Sequence, residues 1–202
     1  MIVGVVLAAG ASRRFGAQKL LAPVAGKAVV RWTVERMVAS RLDAVIIVLG
    51  READAVQRVL DGLTVRTVRN PRFADGLAAS LVAGVDAMPP GSDAAVIALG
   101  DQPTVSTAVI DTLIDVWCSR RTSIVAPMYR GVRGNPVLFA HTVFAELRAG
   151  RGDRGARDVI TRSADRVALV DVDEEMPVDV DEPTDLPAVA LKLAAHTSRK
   201  ER

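Results

Sequence analysis

The sequence predicts a three-layer α/β/α sandwich on a mostly parallel, Rossmann-like sheet, and three observations carry that expectation. Short β-branched runs are apolar at successive positions rather than alternate ones, as strands covered on both faces must be. They alternate with segments of helical spacing, the order produced by right-handed strand–helix–strand units. The chain has 202 residues, half of them hydrophobic, which supplies one sizeable core and argues for a single domain.

In chain order, residues 2–7, 44–49, 65–68 and 94–99 read as strands apolar on both faces. Helical spacing fills the intervals at 29–40, 53–61 and 77–88, and continues at 107–120 after the fourth strand. A fifth strand is expected over 124–128 and a sixth over 137–139, following Asn135-Pro136. Gly131 and Gly134 between them predict a hairpin, which makes the later sheet mixed. Short helices are expected at 141–149 and 156–163, late strands at 167–172 and 178–180, and a final helix at 186–195 starting near Asp185. Residues 1–195 form the expected domain, and 196–202 a disordered basic tail.

Composition narrows the function classes. Aromatic residues make up 3% of the chain, too few for a nucleic-acid binder that stacks bases. The formal charge of +2 comes from Arg199, Lys200 and Arg202 less Glu201, so the body sums to zero and offers no basic surface for nucleic acid. No apolar run is long enough to span a membrane. Arg13 and Arg14 follow the first apolar run, whereas a secretory signal has its charges in front, so a cytoplasmic protein is expected. Cys118, the single cysteine, excludes an intramolecular disulfide and reads as a packed thiol. His141 and His196 lack metal spacing, and Trp32 and Trp117 lie on apolar helical faces that suit the core.

Charge is segregated along the chain. Residues 13–41 hold seven Arg or Lys and one Glu, whereas 171–185 hold eight carboxylates and no Arg or Lys. In a doubly wound sheet ligands sit beyond the carboxyl ends of the strands, where a basic pole for phosphates and an acidic pole for metal can meet. After the first strand comes Leu7-Ala8-Ala9-Gly10-Ala11-Ser12-Arg13-Arg14-Phe15-Gly16-Ala17-Gln18-Lys19. Its small residues let backbone N–H groups approach phosphate oxygens, with Arg14 and Lys19 supplying positive charge. The spacing is neither GxGxxG nor GxxxxGK[ST]. Asp101 ends the fourth strand, where a carboxylate either reaches the crevice as an oxygen ligand for Mg²⁺ or caps a turn.

These residues, taken together, resemble the MobA/MocA-like nucleotidyltransferases of molybdenum cofactor synthesis. Six segments fall in that family's order: the opening loop just quoted, Asn70-Pro71 with Gly76-Leu77-Ala78-Ala79-Ser80, Gly100-Asp101-Gln102-Pro103, Gly134 to Phe139, Gly152 to Arg157, and Asp179 to Leu186. The similarity extends over residues 2–190 and is nearest to the cytidylyltransferase branch. It implies a Mg²⁺-dependent transfer of CMP from CTP to the terminal phosphate of a molybdopterin-type acceptor, with release of pyrophosphate. A recipient molybdoenzyme or its chaperone is then the implied protein partner.

The resemblance also implies roles. Arg14, Lys19 and Asp101 are the catalytic set. Leu7, Ala8, Ala9, Gly10, Ser12, Lys19, Asn70, Ser80 and Asp101 bind the nucleotide. Asn135, Arg154 and Arg157 meet the acceptor, and Asp101 with Asp181 or Asp179 holds the metal. Glu182 stands where the family has Thr, beside the second ligand, and Phe15 stands where Met is common. LAAG rather than LAGG favours cytidine over guanosine. The rival readings are a guanylyl or other nucleotidyl transfer to a different phosphorylated acceptor, a dinucleotide-dependent oxidoreductase, and a cofactor chaperone without turnover.

Overall fold

Every residue of β1 (Ile2–Ala8) is buried, because this strand has neighbours on both edges and helices on both faces. Ile2, Val6 and Ala8 enter one hydrophobic cluster, whereas Val3, Val5 and Leu7 enter another. That alternation of side chains across a pleated strand divides the molecule into layers. The structure is a computed structural model describing residues 1–200 except Ala11 and Arg13, with side chains through Ala195.

The remaining elements follow in order: β2 (Pro23–Val24), β3 (Lys27–Ala28), α1 (Val29–Val38), β4 (Ala44–Leu49), α2 (Ala53–Arg58), β5 (Arg66–Arg69), α3 (Leu77–Asp86), β6 (Ala94–Leu99) and α4 (Thr107–Arg120). Then come β7 (Ile124–Tyr129), β8 (Val132–Arg133), β9 (Val137–Ala140), α5 (Phe144–Arg148), α6 (Arg157–Arg162), β10 (Val167–Val172) and α7 (Leu186–Lys200).

The main sheet runs β10-β7-β9-β6-β1-β4-β5, with β8 paired to β7. β1, β4, β5 and β6 are parallel, β10 is parallel to β7, and β9 is antiparallel to both its neighbours. The expected mixed sheet and three-layer sandwich are therefore present. α1, α2 and α4 cover one face, and α3, α5 and α6 cover the other. Helix α3 lies close to the strands at Gly84, where a Cβ would stand 2.4 Å from Val5 Cγ1. Chain order proceeds outward from β1 to β4 and β5, then returns to β6 on the other side of β1. This reversal opens a crevice at the carboxyl ends of β1 and β6.

Some expectations need correction. Residues 178–180 form no strand. Val178 N donates to Thr104 Oγ1 at 2.9 Å and Val180 N to the Asp101 carbonyl at 2.9 Å, so their donors go to the β6–α4 loop instead of a ladder. Cys118 is exposed rather than packed, because it lies on the outer side of α4 while Trp117 beside it faces the core. The β2–β3 hairpin and β8, two residues per strand, have no counterpart in the sequence pattern. The backbone of α7 continues to Lys200; the side chains of 196–200, His196 included, and residues 201–202 lie outside the described residues.

A third, smaller cluster joins Ala22, Val24, Val29, Val180, Val189 and Leu193. It attaches α7 and the acidic segment before it to the β2–β3 hairpin. Burial of these apolar side chains is what returns residues 173–181 to the crevice.

Candidate active site

The loop after β1 is held by its own polar side chains. Ser12, at φ 51°, donates from Oγ to Gln18 Oε1 at 2.7 Å and accepts from Lys19 N at 3.3 Å. Gln18 is buried and donates from Nε2 to the Arg51 carbonyl at 3.0 Å, which fixes the loop to the end of β4. These bonds set Lys19 at the start of a short turn, aimed across the crevice. Arg13, part of the same motif, lies outside the described residues.

Asp101 stands two residues beyond β6, on a turn closed by Gln102 N donating to the Leu99 carbonyl. The acidic segment docks on that turn through Val180 N, and Gln102 Nε2 donates to Asp179 Oδ1 at 2.9 Å. Asp181 thereby comes opposite Asp101. Lys19 Nζ lies 2.5 Å from Asp101 Oδ2 and 3.0 Å from Asp181 Oδ1, and Arg14 Nη2 lies 2.9 Å from Asp181 Oδ2. Burial alone would lower the Lys19 pKa, but Asp101 and then Asp181 outweigh it and hold the ammonium above its ordinary value. Partial loss of solvent, and next the Asp101 charge, hold Asp179 above the ordinary carboxylate range.

Helix capping and cation binding are divided between neighbours. Asp185 Oδ2 accepts from the Asp181 and Glu182 backbone N–H groups at 2.8 Å, and the Glu182 side chain completes a capping box. Those two backbone donors, Glu182 first, hold the Asp185 carboxyl below its ordinary range. Glu182 therefore caps, which leaves the Asp181 carboxylate turned to Lys19 and Arg14.

These groups border an open cleft of about 500 Å³. Leu7, Ala9, Gly10, Ser12, Arg14, Lys19, Ser80, Asp101 and Asp181 all line it, as the sequence anticipates. Ala8 does not, since the strand pleat turns it into the opposite core. Asn70 is buried behind the wall, where Nδ2 donates to Ser80 Oγ at 3.1 Å, so it positions Ser80 instead of facing the cleft. The three residues expected at the acceptor do not line this cleft. The Asn135 carbonyl accepts from Tyr129 Oη at 2.7 Å, Arg154 is exposed and pairs with Asp158 at 2.8 Å, and Arg157 is exposed at the start of α6. From the same stretch it is Asp153 that borders the cleft, together with Phe73 and Gly76. Gly76 and Asp153 lie inside the quoted motifs, and Phe73 between Asn70-Pro71 and Gly76, but the motifs assign them no role. Gln18 has no signal in the sequence beyond its place in the loop.

The donor set fits a divalent cation. Two carboxylate oxygens from distant segments converge on one ammonium, so a single cation position lies between them. Mg²⁺ and similar ions are commonly held by one or two carboxylates plus substrate phosphates. Among the described residues no group of three or more His, Cys, Asp or Glu side chains is arranged for a metal.

Comparison with known proteins gives a consistent result. The family model of the MobA-like NTP transferase domain matches residues 4–167. A relative from Paenarthrobacter nicotinovorans, named nicotine blue oxidoreductase, is 33% identical over 190 residues, covering 89% of this chain and 92% of its own. The molybdenum cofactor cytidylyltransferase of Escherichia coli strain K12 is 22% identical over 182 residues, 90% of this chain and 91% of its own. Rv0371c of Mycobacterium tuberculosis H37Rv, solved in complex with manganese, is 32% identical with a TM-score of 0.78, covering 94% of this chain and 98% of that one.

Proposed function

The chain belongs to the MobA-like NTP transferase family and is a nucleotidyltransferase, and from that premise we propose that it transfers CMP from CTP to the terminal phosphate of a molybdopterin-type acceptor. The observation that carries the reading is the convergence of Asp101 and Asp181 on Lys19 at the sheet's switch point. Leu7, Ala9, Gly10 and Ser80 border the nucleotide, and Ser12 keeps the phosphate loop in place. Asp101 and Asp181 would hold Mg²⁺, which when bound draws negative charge from the phosphate oxygens.

The acceptor phosphate is already an anion at neutral pH, so the chain need not supply a general base. Its oxygen attacks the α-phosphorus, the bond from that phosphorus to the bridging oxygen breaks, and pyrophosphate leaves. Arg14 and Lys19 stabilise the charge that builds on the transferring and departing groups. Asn135, Arg154 and Arg157 remain the proposed acceptor contacts, reached by a substrate that extends from the cleft toward the exposed 152–157 loop.

A second reading, redox turnover with a nicotinamide cofactor, is favoured by the name of the 33% identical relative. The geometry favours transfer instead. The loop after β1 lacks GxGxxG, and β4 ends at Leu49-Gly50 without the acidic residue that holds a ribose. The deciding experiment incubates the protein with Mg²⁺, a molybdopterin acceptor and CTP, GTP or NADH, following pyrophosphate and nicotinamide absorbance together. CTP-dependent pyrophosphate that falls about 100-fold or more in Asp101→Ala is the expected result. Pyrophosphate from GTP alone moves the assignment to guanylyl transfer, and NADH consumption without pyrophosphate overturns transfer.

A further inference from the structure

Behind the wall of the nucleotide cleft lies a second cavity of about 350 Å³, at the small end of ligand-site volumes. Three arginines line it, Arg72, Arg148 and Arg151, against one lining acidic residue, Asp75. Two of the three are oriented through Nε alone: Arg72 Nε lies 2.8 Å from Asp75 Oδ2, and Arg148 Nε 2.7 Å from Asp86 Oδ1. Each guanidinium carries five N–H donors in a planar fork, so the Nη edges of both still have donors to offer. Arg151 donates to the Gly150 carbonyl at 2.8 Å and the Arg148 carbonyl at 3.3 Å, and pairs with no carboxylate among the described residues. Its charge is held in place by backbone and left uncompensated. Ala79 and Val82 of α3 give the same cavity an apolar side.

We propose that this cavity is a second anion site, distinct from the nucleotide cleft, which takes a phosphate group borne on a small body. Guanidinium forks match phosphate oxygens in shape as well as charge, and three of them around one concavity exceed by one charge what Asp75 and Asp86 neutralise. The site shares a wall with the nucleotide cleft. Ala78 N donates to the Gly152 carbonyl at 2.9 Å, and a Cβ on Gly76 would stand 2.7 Å from the Gly152 carbonyl carbon. An anion bridging Arg72 to Arg148 and Arg151 therefore ties together the two segments that carry Ala74, Gly76 and Asp153 into the nucleotide cleft.

The test is calorimetric titration of phenyl phosphate and of inorganic pyrophosphate into the whole chain without metal. The proteins compared are the natural chain, Arg148→Ser/Arg151→Ser, the single exposed change Arg151→Gln, and Lys19→Met, each checked for an unchanged melting transition. For phenyl phosphate, affinity at least tenfold weaker in the double variant and weakened in Arg151→Gln, but unchanged in Lys19→Met, is the expected pattern. Pyrophosphate also meets Lys19 in the nucleotide cleft, so for it the weakening in the two arginine variants is what is read. Tighter phenyl phosphate would assign a phosphate ester seated on Ala79 and Val82, and tighter pyrophosphate a polyphosphate; either supports the site. Absence of binding to the natural chain, or binding lost only in Lys19→Met, overturns it.

Discussion

Lys19 is the side chain through which the cleft's electrostatics pass. It stands between Asp101 and Asp181 with little exposure, so removing it leaves Asp101 without its cation and Asp181 with Arg14 alone. Lys19→Met should therefore bind Mn²⁺ alone more tightly than the natural chain, by about tenfold, while binding the metal–CTP pair more weakly. Paramagnetic resonance of free Mn²⁺ reads both, and equal Mn²⁺ affinity in the two proteins would contradict the geometry. That Lys19, Asp101 and Ser80 would border the cleft was legible because each lies close to the end of a strand or the start of a helical turn, where backbone direction limits what a side chain can reach. The placement of Arg154 was not, because an exposed arginine turns to its local carboxylate, here Asp158. Gln18 escaped notice for the opposite reason: its role depends on the Arg51 carbonyl, 33 residues away.

At the level of elements, runs apolar on both faces marked β1, β4 and β6 correctly because burial on both sides leaves no polar alternation to confuse them. Val178 and Val180 show the limit. Their valines have the strand-like pattern, but the partners of their N–H groups are a hydroxyl and a loop carbonyl far back in the chain. The start of α7 yields a prediction of its own. Asp185 accepts two backbone N–H bonds, and Asp185→Ala should cost about 1 kcal/mol, as loss of a helix cap does. Its folded pKa is lowered, so this stabilisation is present above the ordinary aspartate value and disappears as pH falls through the lowered one. Urea unfolding of both proteins should show a gap that is constant near neutrality and closes below about pH 4.

For the molecule as a whole, the strand order decides where chemistry happens. β1 and β6 are neighbours whose following loops leave in different directions, and they deliver the phosphate loop and Asp101 to one crevice. The layers of the fold follow from alternating strands and helices, which is why they could be read without coordinates. The placement of the loops after β9 could not, since it depends on how they lie across the sheet. If the crevice takes CTP with Mg²⁺, the pair at about 100 times its dissociation constant should stabilise the fold by roughly 2.7 kcal/mol. Thermal unfolding with and without the pair measures this, and the shift should vanish in Asp101→Ala.

The small third core has a consequence in time as well as in space. Asp181 is held opposite Asp101 by the docking of Val180 N on the Asp101 carbonyl together with the packing of Val180, Val189 and Leu193 beside the β2–β3 hairpin. During synthesis, a chain that has emerged as far as β10 already has its phosphate loop and its first carboxylate, yet lacks the second. The cation position is thus assembled last, and a chain interrupted before α7 carries a nearly finished sheet around an unfinished centre.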